Sequence, residues 1–278
     1  MNIKSLLKRL LFQIAPGGLT TAVLKAYYLK RLRSYSEAGE WEQNERDMGI
    51  VRYLVAPGDS VIDVGANFGF YTVFLSALVG KQGHIHSVEP IPLTHEILSN
   101  NVRSLLLTNV RLYDCAISEK DGAGTMVIPK WPGSGGDNFY QASVQSGEFV
   151  NGHFQEVRVN LKSLDSLFKD HQRAVSFVKI DVEGHELQVI RGAKALISRS
   201  KPALLVEVSQ NPDDKQSSAH VLFDILINEG YDGYWYDGTM LKRRSSGDQS
   251  INYFFLTQSH LAQIKTANQG VIASEMSL

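Results

Sequence analysis

Cysteine is nearly absent from this chain: Cys115 is the only one in 278 residues. A single thiol excludes an internal disulfide and a cysteine-built zinc site, and it suits a reducing compartment, so a cytoplasmic protein is expected. An excess of one charge is missing too. The 28 Lys and Arg against 29 Asp and Glu leave a formal charge of −1, which argues against an extended nucleic-acid surface, because such binding rests on many cation–phosphate contacts. No apolar run reaches the roughly 20 residues that a membrane-spanning helix needs. The apolar start of the chain is broken by Lys4, Lys8 and Arg9, which removes the core of a signal peptide. What the chain does have is 43% apolar residues, enough for one large α/β core.

Three segments are expected: a helical extension over 1–56, one catalytic domain over 57–260, and a tail over 261–278. Residues 3–14 carry helical periodicity, with Leu6, Leu10 and Ile14 against Lys4 and Lys8. Such a basic amphipathic helix can touch an anionic membrane surface, but packing on its own domain or on a second copy of the chain is the preferred reading. Helices are also expected over 20–35 and 41–55, with Tyr27, Tyr28 and Tyr35 as packing aromatics. Beyond them, short apolar runs alternate with helical stretches, with strands near 61–64, 83–89, 110–117, 175–180 and 203–208. Helices are expected over 71–78, 94–106, 187–197 and 221–229, and 233–237 with 251–256 read as a closing antiparallel pair. The pattern predicts an α/β fold built on a doubly wound, mostly parallel sheet. Strands at 124–129 and 157–161 flank a Gly-, Asn- and aromatic-rich loop over 131–154, whose length suits a lid over an acceptor.

Ligands of such sheets lie at the carboxyl ends of the strands. The first strand runs into Asp63-Val64-Gly65-Ala66-Asn67-Phe68-Gly69, with Thr72 in the first turn of the next helix. Glycine there allows a sharp turn and the close approach of a ligand. The second strand delivers Glu89, about 20 residues further on, where a ribose hydroxyl pair is usually held. Asp114 and Ala116 end the third strand, where an adenine amino group could be received; Cys115 between them reads as a small buried residue. Asp181, Glu183 and His185 end the fourth, and Glu207 the fifth. The first turn reads DxGxNxG in place of GxGxxG, which favours S-adenosylmethionine over a dinucleotide pyrophosphate.

With these residues in place, the chain resembles the FkbM family of S-adenosylmethionine-dependent methyltransferases. The matching pieces are VIDVGANFGFYT, SVEPIPLTHEILSNN, LYDCAIS, VNLKSLDSL and, most specific, FVKIDVEGHELQVIRGA. The resemblance runs from Val61 to about Val208 and implies a Rossmann-like class I methyltransferase that methylates hydroxyl oxygens on sugars, polysaccharides or natural products. A looser likeness to the family's acceptor loop covers Gly135-Gly136-Asp137-Asn138 and Ala142-Ser143. Expected partners are a small-molecule or glycan acceptor and a second copy of the chain, with no nucleic acid. An alcohol needs a base or a metal to take its proton at neutral pH. His185 is placed ahead of Glu183 as that base, with Asp181 nearer the donor's amino-acid tail. The alternatives are an Mg²⁺ ion on Asp181 and Glu207, as in catechol-type O-methyltransferases, or a scaffold that binds cofactor without catalysis. A nicotinamide-dependent oxidoreductase is less consistent with the turn.

Overall fold

The computed structural model describes residues 17–43, 45–130, 138–144 and 154–268. The helix expected over 3–14, most of the 131–154 loop and the last ten residues lie outside them. In chain order, α1 (Gly17–Ala38), a 3-10 turn (Trp41–Gln43) and α2 (Met48–Leu54) precede β1 (Ser60–Val64), α3 (Phe70–Val79), β2 (His84–Val88), α4 (Pro92–Ser104) and β3 (Val110–Tyr113). Then come β4 (Ala116–Ile117), β5 (Gly122–Pro129), a second 3-10 turn (Phe139–Gln141), β6 (Ser143–Val144) and β7 (Phe154–Lys162). The last part holds α5 (Leu164–Leu167), β8 (Val175–Ile180), α6 (Glu186–Arg191), α7 (Lys194–Ser200), β9 (Ala203–Glu207), α8 (Ser218–Asn228), β10 (Asp232–Tyr236), β11 (Leu241–Arg243), β12 (Asn252–Leu256) and α9 (Gln258–Ala267).

The main sheet has eight strands in the order β11-β10-β12-β9-β8-β1-β2-β3. From β9 to β3 every neighbouring pair is parallel, while β12, β10 and β11 pair antiparallel. β1 is buried along its whole length, as a central strand covered on both faces by helices must be. The expected doubly wound α/β sheet with its antiparallel closure is present, with β11 as an added edge strand.

Four expectations are corrected. The helix over 41–55 is two elements, a 3-10 turn and α2. The strand over 110–117 splits at Asp114-Cys115: β3 stays in the main sheet, whereas β4 pairs with β7 in a second sheet ordered β4-β7-β5-β6. Periodicity cannot register a change of sheet within one apolar run. The helix over 187–197 breaks at Gly192, where a Cβ would lie 2.1 Å from the Ser118 carbonyl oxygen. The chain restarts as α7, whose Ala195 and Leu196 N–H groups donate to the Asp165 carboxylate at 2.9 and 2.8 Å, a cap contributed by another element. Finally, the boundary at 260/261 falls inside α9, whose Leu261 and Ile264 are core residues, and α9 packs on α2.

The described part of the N-terminal extension is equally part of the core. α1 lies against α4 and α3, and its fully buried Tyr28 stacks on Phe68 in the glycine turn, ring centroids 3.7 Å apart at 13°. Truncating Tyr28 leaves that turn without a ceiling. Tyr28→Ala is expected to cost about 3–5 kcal/mol, read as a lower urea midpoint; an unchanged midpoint would mean that the stack carries no packing energy.

Candidate active site

The carboxyl ends of β1, β2, β8 and β9 open into one cavity, bordered also by the Cys115-Ala116-Ile117 segment, by Met126 and Val144 of the second sheet, and by Phe139 and Ala142 from the second 3-10 turn and the residue after it. Of the residues singled out in the sequence, Gly65, Asn67, Glu89, Ala116, Asp181, Glu183, His185 and Glu207 line it. Phe139, Ala142 and Val144 come from the expected lid loop. Asp63, Gly69, Thr72 and Asp114 do not line it.

Those four have other positions. Asp63 is fully buried under the turn, where its Oδ2 accepts from the Thr72 hydroxyl at 2.7 Å, and Thr72 in turn lies 2.8 Å from the Ser87 hydroxyl. The three side chains join β1, α3 and β2 beneath the ligand surface. Gly69, at φ 98°, caps α3, and a Cβ there would lie 2.8 Å from Leu98. Asp114 is exposed on the break between β3 and β4. Gly65 has a different reason from the one expected. With φ 77°, a Cβ on it would stand 1.8 Å from the Asp181 carbonyl oxygen, so the protein's own backbone demands glycine there.

On one side of the cavity, Glu89 is nearly buried and accepts three hydrogen bonds. Ile91 N–H and the Thr94 hydroxyl donate to Oε1 at 3.0 and 2.6 Å, and Asn67 N–H donates to Oε2 at 2.8 Å. A carboxylate has about four acceptor sites, so one on Oε2 stays free. Burial pushes the Glu89 pKa up, against the pull of those donors. Asn67 stands at φ 49°, an uncommon conformation for a residue with a side chain. Its buried Oδ1 has no partner among the described residues.

On the other side, carboxylate oxygens of Asp181, Glu183 and Glu207 gather within 4.8 Å of one another. Burial, and then the Asp181 charge, push Glu183 up to about 7, with Glu186 adding and Lys179 opposing. Burial and Asp181 likewise raise Glu207 to about 7. Glu183 is at φ 52° and Gly184 at φ 94°; left-handed backbone on a non-glycine residue marks stored strain of the kind found at functional sites. Lys179 donates to Asp181 Oδ2 at 2.8 Å and lies over the Tyr71 ring at 4.7 Å. Burial works against its charge, but Asp181 and Asp63 outweigh that and hold its pKa above the ordinary value. His185 lines the cavity with Nε2 3.0 Å from the Ser118 hydroxyl, and burial lowers its pKa.

An adjoining chamber shares Glu45, Gly65, Asn67, Asp181 and Glu207 with the first and adds Tyr71, Lys179 and Asn252. Glu45, Lys179, Tyr71 and Asn252 escaped the sequence reading. Lys179 had a signal: a lysine inside the apolar run Phe177-Val178-Lys179-Ile180 has to be paired when buried. Glu45 and Asn252 had none, since both reach the site only through tertiary packing. Across both chambers five carboxyl groups, Glu45, Glu89, Asp181, Glu183 and Glu207, face one ammonium, Lys179, a field that favours a cationic ligand.

Comparison with known proteins places this geometry in a family. Residues 63–232, more than half of the chain, match the methyltransferase FkbM domain. The chain belongs to the FkbM family of methyltransferases. "Methyltransferase 1" of Beauveria bassiana (strain ARSEF 2860) is 26% identical over 148 residues, covering 49% of this chain and 59% of that protein. "Methyltransferase sdnD" of Sordaria araneosa is 25% identical over 156 residues, covering 48% and 59%. This FkbM-type chain therefore spans about three-fifths of the length of those relatives. The solved FkbM methyltransferase of Methylobacillus flagellatus KT aligns with 71% of this chain and 43% of its own, at 17% identity and a TM-score of 0.45. No helix among the described residues is long and apolar enough to cross a membrane.

The crowded carboxylates carry a stability consequence. Glu207 has a pKa of about 7 in the folded protein against 4.5 ordinarily, so its favourable contribution is present below pH 4.5 and lost as pH rises through about 7. Glu207→Gln is accordingly expected to raise Tm at pH 8 and to change it little at pH 5. A lower Tm at pH 8 would show that the charge is compensated in the folded state.

Proposed function

We propose that this FkbM-type chain methylates a hydroxyl oxygen of a small-molecule or glycan acceptor, with S-adenosylmethionine as donor and Glu183 as the general base. The donor fits the residues present. The free acceptor site on Glu89 Oε2 suits a ribose hydroxyl, the unpartnered Asn67 Oδ1 suits an N–H or O–H donor, and the excess of carboxylates suits a sulfonium and an ammonium. Bound S-adenosylmethionine supplies a methyl group on a positively charged sulfur, open to a single in-line displacement.

The observation that carries the reading is Glu183, a strained, half-buried carboxylate raised to about 7 in the same cavity as Glu89. A base with that pKa is half ionised at neutral pH and able to take a hydroxyl proton. His185 was expected ahead of it. His185 lines the same cavity, but its Nε2 lies against the Ser118 hydroxyl and burial lowers its pKa, which supports Glu183 ahead of it. Met126, Phe139, Ala142 and Val144 give the cavity an apolar border that excludes water from the reacting groups.

A second reading, Mg²⁺ held by Asp181, Glu183 and Glu207, is favoured by the convergence of their oxygens. The two readings separate in one experiment, in which labelled donor is offered with a panel of hydroxylated acceptors and products are followed by mass spectrometry. The base reading expects turnover that survives EDTA and rises with pH through about 7. Glu183→Gln should lower kcat roughly 100- to 10,000-fold with donor affinity kept. Turnover lost in EDTA and restored by Mg²⁺ would transfer the role to the metal. Glu89→Ala should weaken donor binding roughly ten- to a hundredfold, the loss of a charge-assisted hydrogen bond; unchanged affinity in the folded variant would refute the ribose assignment.

A further inference from the structure

The opposite end of the sheet carries a cluster that the methyl-transfer reading does not use. A cavity there is lined by His84, His86, Asn109, Arg111, His171 and Arg173. It lies beside Ser60, the first residue of β1, whereas Gly65 follows the last, so at about 3.3 Å per residue the two sites stand roughly 17 Å apart. Its floor is an ordered set of rings. His86 meets His171 and Phe168 edge to face at centroid distances of 4.9 Å each, and its Nδ1 lies 3.0 Å from the Tyr113 hydroxyl. His171 Nε2 in turn lies 3.0 Å from the Ser60 hydroxyl.

The charges on this cavity are not balanced. Arg111 lies over the Tyr113 ring at 5.2 Å, and Arg173 donates to the Gln82 carbonyl at 2.8 Å; neither has a carboxylate partner among the described residues. The acid on the rim, Asp170, has a side chain 89% exposed and 4.0 Å from Lys169. His86 is only 6% exposed, lines the cavity, and its Nε2 has no partner. Burial lowers the His86 pKa, with the nearby His171, His84 and Arg111 acting in the same direction, so the ring is neutral at pH 7. In the tautomer in which the Tyr113 hydroxyl donates to Nδ1, Nε2 carries the proton and needs an acceptor. A metal does not suit the place. The three histidines do not gather their ring nitrogens as Asp181, Glu183 and Glu207 gather their oxygens, and two permanent cations border them.

We propose that this cavity is a second binding site, for a phosphate group, with Arg111 and Arg173 as its charged arms and His86 at its floor. Guanidinium groups pair with phosphate through parallel N–H···O bonds, and a dianion supplies both the charge and the acceptor that the cavity lacks. The phosphate can belong to a soluble ligand or to a lipid headgroup.

The test titrates the full chain calorimetrically with inorganic phosphate and with pyrophosphate, using chloride at matched ionic strength as control, and measures flotation with vesicles containing phosphatidic acid. The same is done with Arg111→Gln/Arg173→Gln, two exposed positions at which folding is checked by circular dichroism and by an unchanged thermal midpoint. Saturable binding of phosphate or pyrophosphate, absent with chloride and weakened roughly tenfold or more in the double variant, is the expected result. Flotation lost in the double variant, without binding of the free anions, assigns the phosphate to a lipid. No saturable binding in either assay, or equal binding by the double variant, overturns the proposal. Failure of methyl transfer would leave these readouts untouched, since none of them depends on the donor site.

Discussion

The closeness of two backbones governs this molecule. β1 and β8 run side by side, and the turn after β1 presses so tightly on the end of β8 that a single methylene on Gly65 would overlap the Asp181 carbonyl. That contact sets Asn67 and Glu89 on one wall and Asp181, Glu183 and Glu207 on the other. Both walls show its cost in left-handed backbone at Asn67 and at Glu183. Strain of this sort persists only where the surroundings over-determine the geometry. Here they do, through the Asp63–Thr72–Ser87 network below and the Tyr28–Phe68 stack above.

Much of this was legible in the sequence, for local reasons. The turn from Asp63 to Gly69, the acid Glu89 and the run from Asp181 to His185 each combine a short apolar strand with a polar terminus, and in a doubly wound sheet such termini share one edge. Misreadings began where a residue's role depends on what lies below the surface. Asp63 and Thr72 have the side chains of ligand contacts, yet they bond each other in the interior. Asp114 sits at a strand end in the sequence, but the chain changes sheets there and leaves it outside. The second sheet was invisible for the same reason, since nothing in an apolar run states which partner it will pair with.

The order of His185 and Glu183 illustrates the limit of residue type as a guide. An imidazole titrates near neutrality without help, which favours it on sequence alone. Within the fold, burial lowers the histidine and raises the glutamate, so the order of their pKa values reverses through environment and not through residue type. Burial is the larger cause for Glu183 and Glu207, and Asp181, itself bonded to Lys179, adds to it as a near neighbour.

The walls also come from distant parts of the chain. Asn252, on β12, borders the inner chamber and donates to Asp47 Oδ2 at 2.8 Å across 205 residues of sequence, beside Glu45 on the same wall. β12 in turn closes the flank of β9, which bears Glu207. A ribosome makes this protein from Glu45 towards Asn252, so the chamber stays without one wall, and β9 without one neighbour, until β12 has been made. A nascent chain stalled after β9 would expose that strand's edge as a template for pairing with other chains, and completion of the site and protection from aggregation therefore arrive together.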